Sequence, residues 1–349
     1  MANNAELSRQ LNEQKLKVDY DSFDFSVKEL ITLVNDGTIN IAPDYQRKFR
    51  WEEERQSLLI ESIFLGIPVP PIYMATNVDA SWEVIDGLQR LSTIINFAAE
   101  EDSAARRKIN KPNRLILKNL RKLSNFNGAD FNDLPKTLQL SFVMKPLKVI
   151  TLSDKSDFSV RFDLFQRLNT GGIKLTDQEI RSCVYQGRFN DLLKSLSQEQ
   201  NFRKSIKLQK SKTENGTWEE LVLRFFSYLN YRDNFVHNVT DFLNGYMSQA
   251  TRNFNYENDI GLFMKTFEEL SQLQFGIVKS PHRNITSIVF FEAVSVGAAE
   301  ALKNREHINL EGFYDWVNDP NFNRLVTGAT NTRNRVFERI EYCKNMFLR

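Results

Sequence analysis

Three short stretches hold the side chains best able to do chemistry. The first is Glu83-Val84-Ile85-Asp86-Gly87-Leu88-Gln89-Arg90, which reads as a strand, a turn and the opening of a helix. Asp86 sits at the strand's end beside a glycine. The N–H groups of the next helix's first turn point outward there, where a phosphate binds readily. Arg90 adds a permanent charge with bidentate geometry. Asp86 can hold a metal ion or orient a water, and Gln89 can place that water. A plainer reading uses the same residues: Asp86 to Gln89 has the spacing of an N-cap and N3, and Arg90 pairs with Asp86.

The second stretch is Pro43-Asp44-Tyr45-Gln46-Arg47-Lys48-Phe49-Arg50-Trp51. Arginine grips phosphates and an aromatic ring stacks on a base. The alternative is a loop pinned by Tyr45 and Trp51, with solvated cations. The third is Phe165-Gln166-Arg167-Leu168-Asn169-Thr170-Gly171-Gly172. Its two glycines permit left-handed backbone and close ligand approach, or simply a helix C-cap. No Gly-Lys-Ser/Thr follows, so it is not a Walker A loop.

The elements that position these stretches follow from pattern. A helix is expected from about Phe25 to Val34, and a turn at Asp36-Gly37. Glu52, Glu53 and Glu54 open a helix whose apolar face includes Leu59 and Ile63; Gly66 ends it and Pro68 prevents continuation. Strands are expected at 71–74 and 82–85, a helix at 88–99, and further strands at 142–143 and 147–151. Phe158, Phe162 and Phe165 mark another helix. Thr176 to Glu179 has the form of a capping box. Beyond about residue 188 nearly all the periodicity is helical, clearest at 218–230, 257–274, 284–303 and 332–346. The expected organisation is a polar segment 1–20, a motif-bearing α/β domain 21–185 and an α-helical domain 186–349, an α+β protein.

The chain has 349 residues, 46 basic and 44 acidic side chains and a net charge of +2. That balance excludes a wholly basic nucleic-acid coat protein, so any attraction to DNA must be local. The run 104–123 is the clearest local patch, with Arg106, Arg107, Lys108 and Lys111 as candidate phosphate contacts; a solvated or partly packed face is the plainer reading. No apolar run of about 18 residues exists, which excludes a membrane helix. The two cysteines, Cys183 and Cys343, cannot make a disulfide framework, and both read as buried small hydrophobes. The start, Met-Ala-Asn-Asn-Ala-Glu, has no signal-peptide pattern, so a cytoplasmic location is expected. His237, His282 and His307 have no metal-binding spacing.

Taken jointly, the motifs resemble the N-terminal domain family of GmrSD-type, modification-dependent restriction enzymes. The resemblance rests on Pro43, Tyr45, Gln46, Arg47, Phe49 and Trp51; on Leu59-Ile60-Glu61-Ser62-Ile63 through Gly66-Ile67-Pro68-Val69-Pro70-Pro71-Ile72; on Asp86, Gly87, Gln89, Arg90 and Leu91; and on Arg167 to Gly172 leading to Leu175 and Glu179. It implies a ParB/sulfiredoxin-like domain followed by helices. It implies binding, and often hydrolysis, of a nucleoside triphosphate with Mg²⁺ at the Asp-Gly-Gln-Gln-Arg motif. Asp86, Gln89 and Arg90 would be catalytic, with the metal at Asp86. Tyr45, Gln46, Arg47, Gly87, Asn169, Thr170, Gly171 and Gly172 would bind the nucleotide. Leu88 stands where the family has its first Gln. The expected protein is a component of bacterial anti-phage defence that gates a separate HNH-type nuclease subunit, another defence protein or DNA engagement, with a homo-oligomer also compatible. The competing expectations are a non-catalytic DNA-binding regulatory module and, more weakly, a nuclease acting through Asp86.

Overall fold

The computed structural model describes residues 4–15, 19–41, 51–77, 79–111, 113–153, 158–168, 175–209, 215–280, 285–328 and 330–349. The chain divides into two compact units, Met1–Lys174 and Leu175–Arg349.

The first unit contains α1 (Asn4–Lys15), β1 (Tyr20–Ser26), α2 (Val27–Asn35), β2 (Ile39–Asn40), α3 (Glu53–Leu65), β3 (Ile72–Thr76), β4 (Trp82–Asp86), α4 (Leu88–Ala98), α5 (Ala104–Ile109), α6 (Lys136–Val143), β5 (Pro146–Leu152) and α7 (Phe158–Leu168). Among the described residues the strands form one sheet in the order β1-β5-β3-β4-β2. β1 runs antiparallel to β5 and β3 antiparallel to β4, while β5/β3 and β4/β2 are parallel. The apolar faces of α2, α3, α4 and α6 supply one core with the sheet, built on Leu30, Ile60, Ile72, Met74, Val84, Leu91, Ile95, Phe142 and Val149.

Two local expectations change. Phe25 lies in strand β1, and Phe23 and Phe25 share a face at period two; the helix starts only at Val27, capped by the Ser26 hydroxyl, which accepts from the Glu29 N–H at 3.1 Å. Phe142-Val143 is no strand but the end of α6. Phe142 belongs to a helix that buries it among Phe64, Phe97 and Phe131, at ring separations of 4.9, 5.3 and 6.1 Å. Other devices match the sequence. Gly66 closes α3 at φ +71°. The Thr176–Glu179 capping box is formed in both directions.

The second unit holds α8 (Asp177–Val184), α9 (Arg188–Leu196), α10 (Gln200–Ser205), α11 (Thr217–Asn230), α12 (Val239–Arg252), α13 (Tyr256–Leu270), α14 (Ile288–Leu302), α15 (Phe313–Trp316), α16 (Pro320–Val326) and α17 (Arg333–Phe347). Phe202, Phe225, Phe263 and Phe267 meet at its centre, with Phe202–Phe267 at 4.8 Å and Phe263–Phe267 at 4.6 Å. α14 crosses α17 at Gly297, where a Cβ would lie 2.5 Å from the Cys343 Cβ, so only glycine fits. A ladder of charges runs through the same interior. Arg181 (α8) meets Glu220 (α11) at 3.4 Å, Arg224 holds Glu220 at 2.7 Å and Glu292 (α14) at 2.6 Å, and Glu292 takes Arg339 (α17) at 2.5 Å.

Candidate functional site at the α4 N-terminus

β4 ends at Asp86 and α4 starts at Leu88, so one residue must turn the chain. Gly87 does so at φ +99°, a left-handed conformation that costs a side-chain-bearing residue about 1–2 kcal/mol. A Cβ there would also lie 3.1 Å from Ile72 Cγ1 and 3.3 Å from Ile72 Cα. Gly87 is itself the N-cap, which corrects the capping expectation for Asp86. No side chain caps the helix at that position. The positive end of an eleven-residue helix therefore opens beside a carboxylate.

Asp86 and Arg90 are joined. Arg90 donates one terminal nitrogen to Asp86 Oδ2 at 2.6 Å and the other to the Pro70 carbonyl at 2.5 Å. The Arg90 side chain is 11% exposed and that of Asp86 43%. The carboxylate is thus open to a ligand while the guanidinium is committed to two protein acceptors. Gln89 Oε1 accepts the Trp51 N–H at 3.2 Å, so the amide is also placed by the protein. The structure brings Asp86, Gly87, Gln89 and Arg90 together. Tyr45, Gln46, Arg47, Asn169, Thr170, Gly171 and Gly172 lie outside the described residues.

Part of the basic run packs against helix ends. Arg106 is 4% exposed and donates to the Asn96 carbonyl at 2.8 Å; Arg114 donates to the Phe97 carbonyl at 3.2 Å. Both carbonyls belong to the last turn of α4, which has no intrahelical donors left for its final C=O groups. Cations there also suit the helix dipole. Lys108 serves α2 in the same way, donating to the Val34 carbonyl at 2.8 Å. Burial first, then the nearby Arg114 cation, lower the Arg106 pKa from its ordinary value. Arg107 is exposed and donates to the local Asp102 carbonyl at 2.6 Å, and Lys111 is half-buried. The chain after α5 lies against α3, where the Ser57 hydroxyl accepts the Lys118 N–H and Glu61 accepts those of Lys122 and Leu123.

Sequence reasoning missed Gln56 and Asn96, which stand behind the motif. Gln56, Ser57 and Glu61 form a buried polar stripe on α3. The i, i+4 spacing of Ser57 and Glu61 was its only sequence signal. Among the described residues no group of three His, Cys, Asp or Glu side chains could hold a metal ion, and no helix is long and apolar enough to cross a membrane. Cys183 and Cys343 are buried free thiols, and burial raises the Cys343 pKa well above the ordinary thiol value.

A strand, a glycine turn and a helix N-terminus beside a half-open carboxylate thus meet in an α+β protein. Comparison with known families finds a match: residues 28–186 match the GmrSD restriction endonuclease, N-terminal domain, so through that stretch the chain is similar to a domain of restriction-type proteins. No curated protein and no solved structure matches the chain.

Proposed function

We propose that the protein binds a nucleoside triphosphate with Mg²⁺ at the N-terminus of α4, and that nucleotide state gates a separate nuclease subunit or the engagement of DNA in a cytoplasmic anti-phage system. The observation that carries this reading is the glycine N-cap beside Asp86. Gly87 itself brings no capping side chain to the helix's positive end, and the carboxylate is 43% exposed. The residues present fit the ligand. First-turn N–H groups suit phosphate oxygens. Mg²⁺ in such sites uses one or two carboxylates and takes its other ligands from phosphates and water, so Asp86 alone is a sufficient protein ligand. The bound nucleotide would supply a phosphoanhydride bond, and the metal would neutralise its oxygens.

Within this reading the chain's own groups have distinct tasks. Asp86 would hold the cation. Gly87 keeps the approach clear of side-chain bulk. Arg90, already committed to Asp86 and Pro70, orients the carboxylate rather than gripping phosphate in this state. Tyr45, Gln46 and Arg47 would close the site over the base and phosphates, with Asn169 to Gly172 as another wall. Calorimetry with Mg-ATP and Mg-GTP, together with phosphate release, tests it. Wild type should bind one of them and Asp86→Ala should lose binding or turnover. Absence of both binding and release for wild type would sink the reading. Pull-down of a nuclease subunit with and without the bound nucleotide tests the gating.

A further inference from the structure

Behind the motif runs an unbroken line of hydrogen bonds. Arg106 NH1 donates to the carbonyl of Asn96 at 2.8 Å and to its side-chain Oδ1 at 3.4 Å. Asn96 Nδ2 donates to Gln56 Oε1 at 3.1 Å. Gln56 Nε2 donates to the Trp51 carbonyl at 2.7 Å. The Trp51 N–H in turn donates to Gln89 Oε1. Gln56 is 1% exposed and Asn96 4%.

The direction of this line is set at its buried end. A guanidinium only donates. Asn96 must therefore turn its amide oxygen toward Arg106, which leaves its NH₂ facing Gln56. Gln56 must accept there, so its own NH₂ is aimed at the Trp51 carbonyl. Reversing either amide would place donor against donor in a site closed to water, at the cost of an unmade hydrogen bond. Trp51 is thus gripped at both its N–H and its C=O by side chains from two helices. Gln89 and Asn96 are seven residues apart on α4 and so lie near one face of it.

We infer that Gln56 is a positioning residue: with Gln89 it clamps the backbone of Trp51, and through Trp51 it holds the Gln89 amide at the first turn of α4. The inference rests on the nucleotide reading for its functional consequence, but the clamp itself does not.

The test uses the full chain labelled with 5-fluorotryptophan, whose four fluorine resonances are assigned by single Trp→Phe variants. In Gln56→Met the Trp51 resonance should shift or broaden while that of Trp82, in the same unit, stays in place. Gln56→Asn, which keeps the amide but is one methylene short, should do the same if the Met variant fails to fold. An unmoved Trp51 signal in a folded variant overturns the clamp. A second arm measures Mg-ATP and Mg-GTP binding. Loss of the Gln56 hydrogen bond should weaken binding about tenfold, and adding Gln56→Met to Gln89→Ala should cost nothing further, because Gln56 acts on the site through Gln89. Additive losses would assign Gln56 a purely structural role and overturn the inference. If wild type binds neither nucleotide, the nucleotide reading fails and the fluorine result alone decides the clamp.

Discussion

Arg90 spans from the first turn of α4 to the Pro70 carbonyl, twenty residues earlier, while its other terminal nitrogen holds Asp86. The arginine of one motif thereby braces the proline-rich exit of another. Lysine has the charge but not the fork. Arg90→Lys should lose one of the two bonds and about 1–2 kcal/mol of stability. Urea denaturation of the two proteins measures it; equal midpoints and slopes would show that the span contributes nothing.

Gly87→Ala should be worse tolerated than its size suggests. The left-handed backbone costs about 1–2 kcal/mol, and the new methyl meets the backbone Cα of Ile72, which no rotamer change can relieve. The expected outcome is a lowered denaturation midpoint together with weaker nucleotide binding. Full stability in this variant would contradict the turn geometry.

Glu292 takes two arginines, Arg224 and Arg339, in the closed interior of the second unit. Glu292→Gln leaves both guanidinium groups short of their counter-charge, and breaking such a buried arrangement costs about 3–5 kcal/mol. Glu220→Gln should cost less, since the Glu220 side chain keeps 20% of its exposure to water and solvent can replace part of what is lost. Thermal and chemical unfolding of both variants checks the order; a reversed order would contradict the ladder.

His307 gives a pH signature. Its Nδ1 lies 2.7 Å from Glu269 Oε1, and that hydrogen bond, then the carboxylate's charge, raise the imidazole pKa above the ordinary value of 6.5. Glu306 adds in the same direction and Lys265 opposes it. A raised folded value means that protonation favours the folded state. The contribution is complete below about pH 6.5 and fades as pH rises through the raised value. Melting curves of His307→Gln should fall below wild type at pH 6 and converge with it at pH 9.

The parts of this fold that could be read from sequence are those set by local chemistry. Gly66 after an apolar face, the Thr176–Glu179 box and the helices of the second unit all depend on neighbours within a turn or two. β1 escaped because Phe23 and Phe25 alternate for only a few residues before α2 begins, and its pairing with β5 is more than a hundred residues distant in sequence. Phe142-Val143 misled because two apolar residues fit either period. In the site, Asp86, Gly87, Gln89 and Arg90 were legible as a cluster, but the capping role was not, since a glycine rather than the carboxylate occupies the N-cap. The packing of Arg106, Lys108 and Arg114 was not legible, because sequence shows charge but not the helix ends those three cations meet. The contact between Gln56 and Asn96 joins residues 40 apart through one amide pair, and no periodicity announces such a bond.

The charge ladder also bears on where this protein can be cut. α8 lies inside the stretch that matches the restriction-enzyme domain, yet Ile180, Arg181, Cys183 and Val184 are buried and Arg181 pairs with Glu220 in the second unit. The matched segment and the folding body therefore end at different residues. A fragment stopped at the family boundary would carry a helix stripped of its packing and an arginine stripped of its counter-ion, whereas one stopped at Lys174 would leave that helix with the body that shelters it.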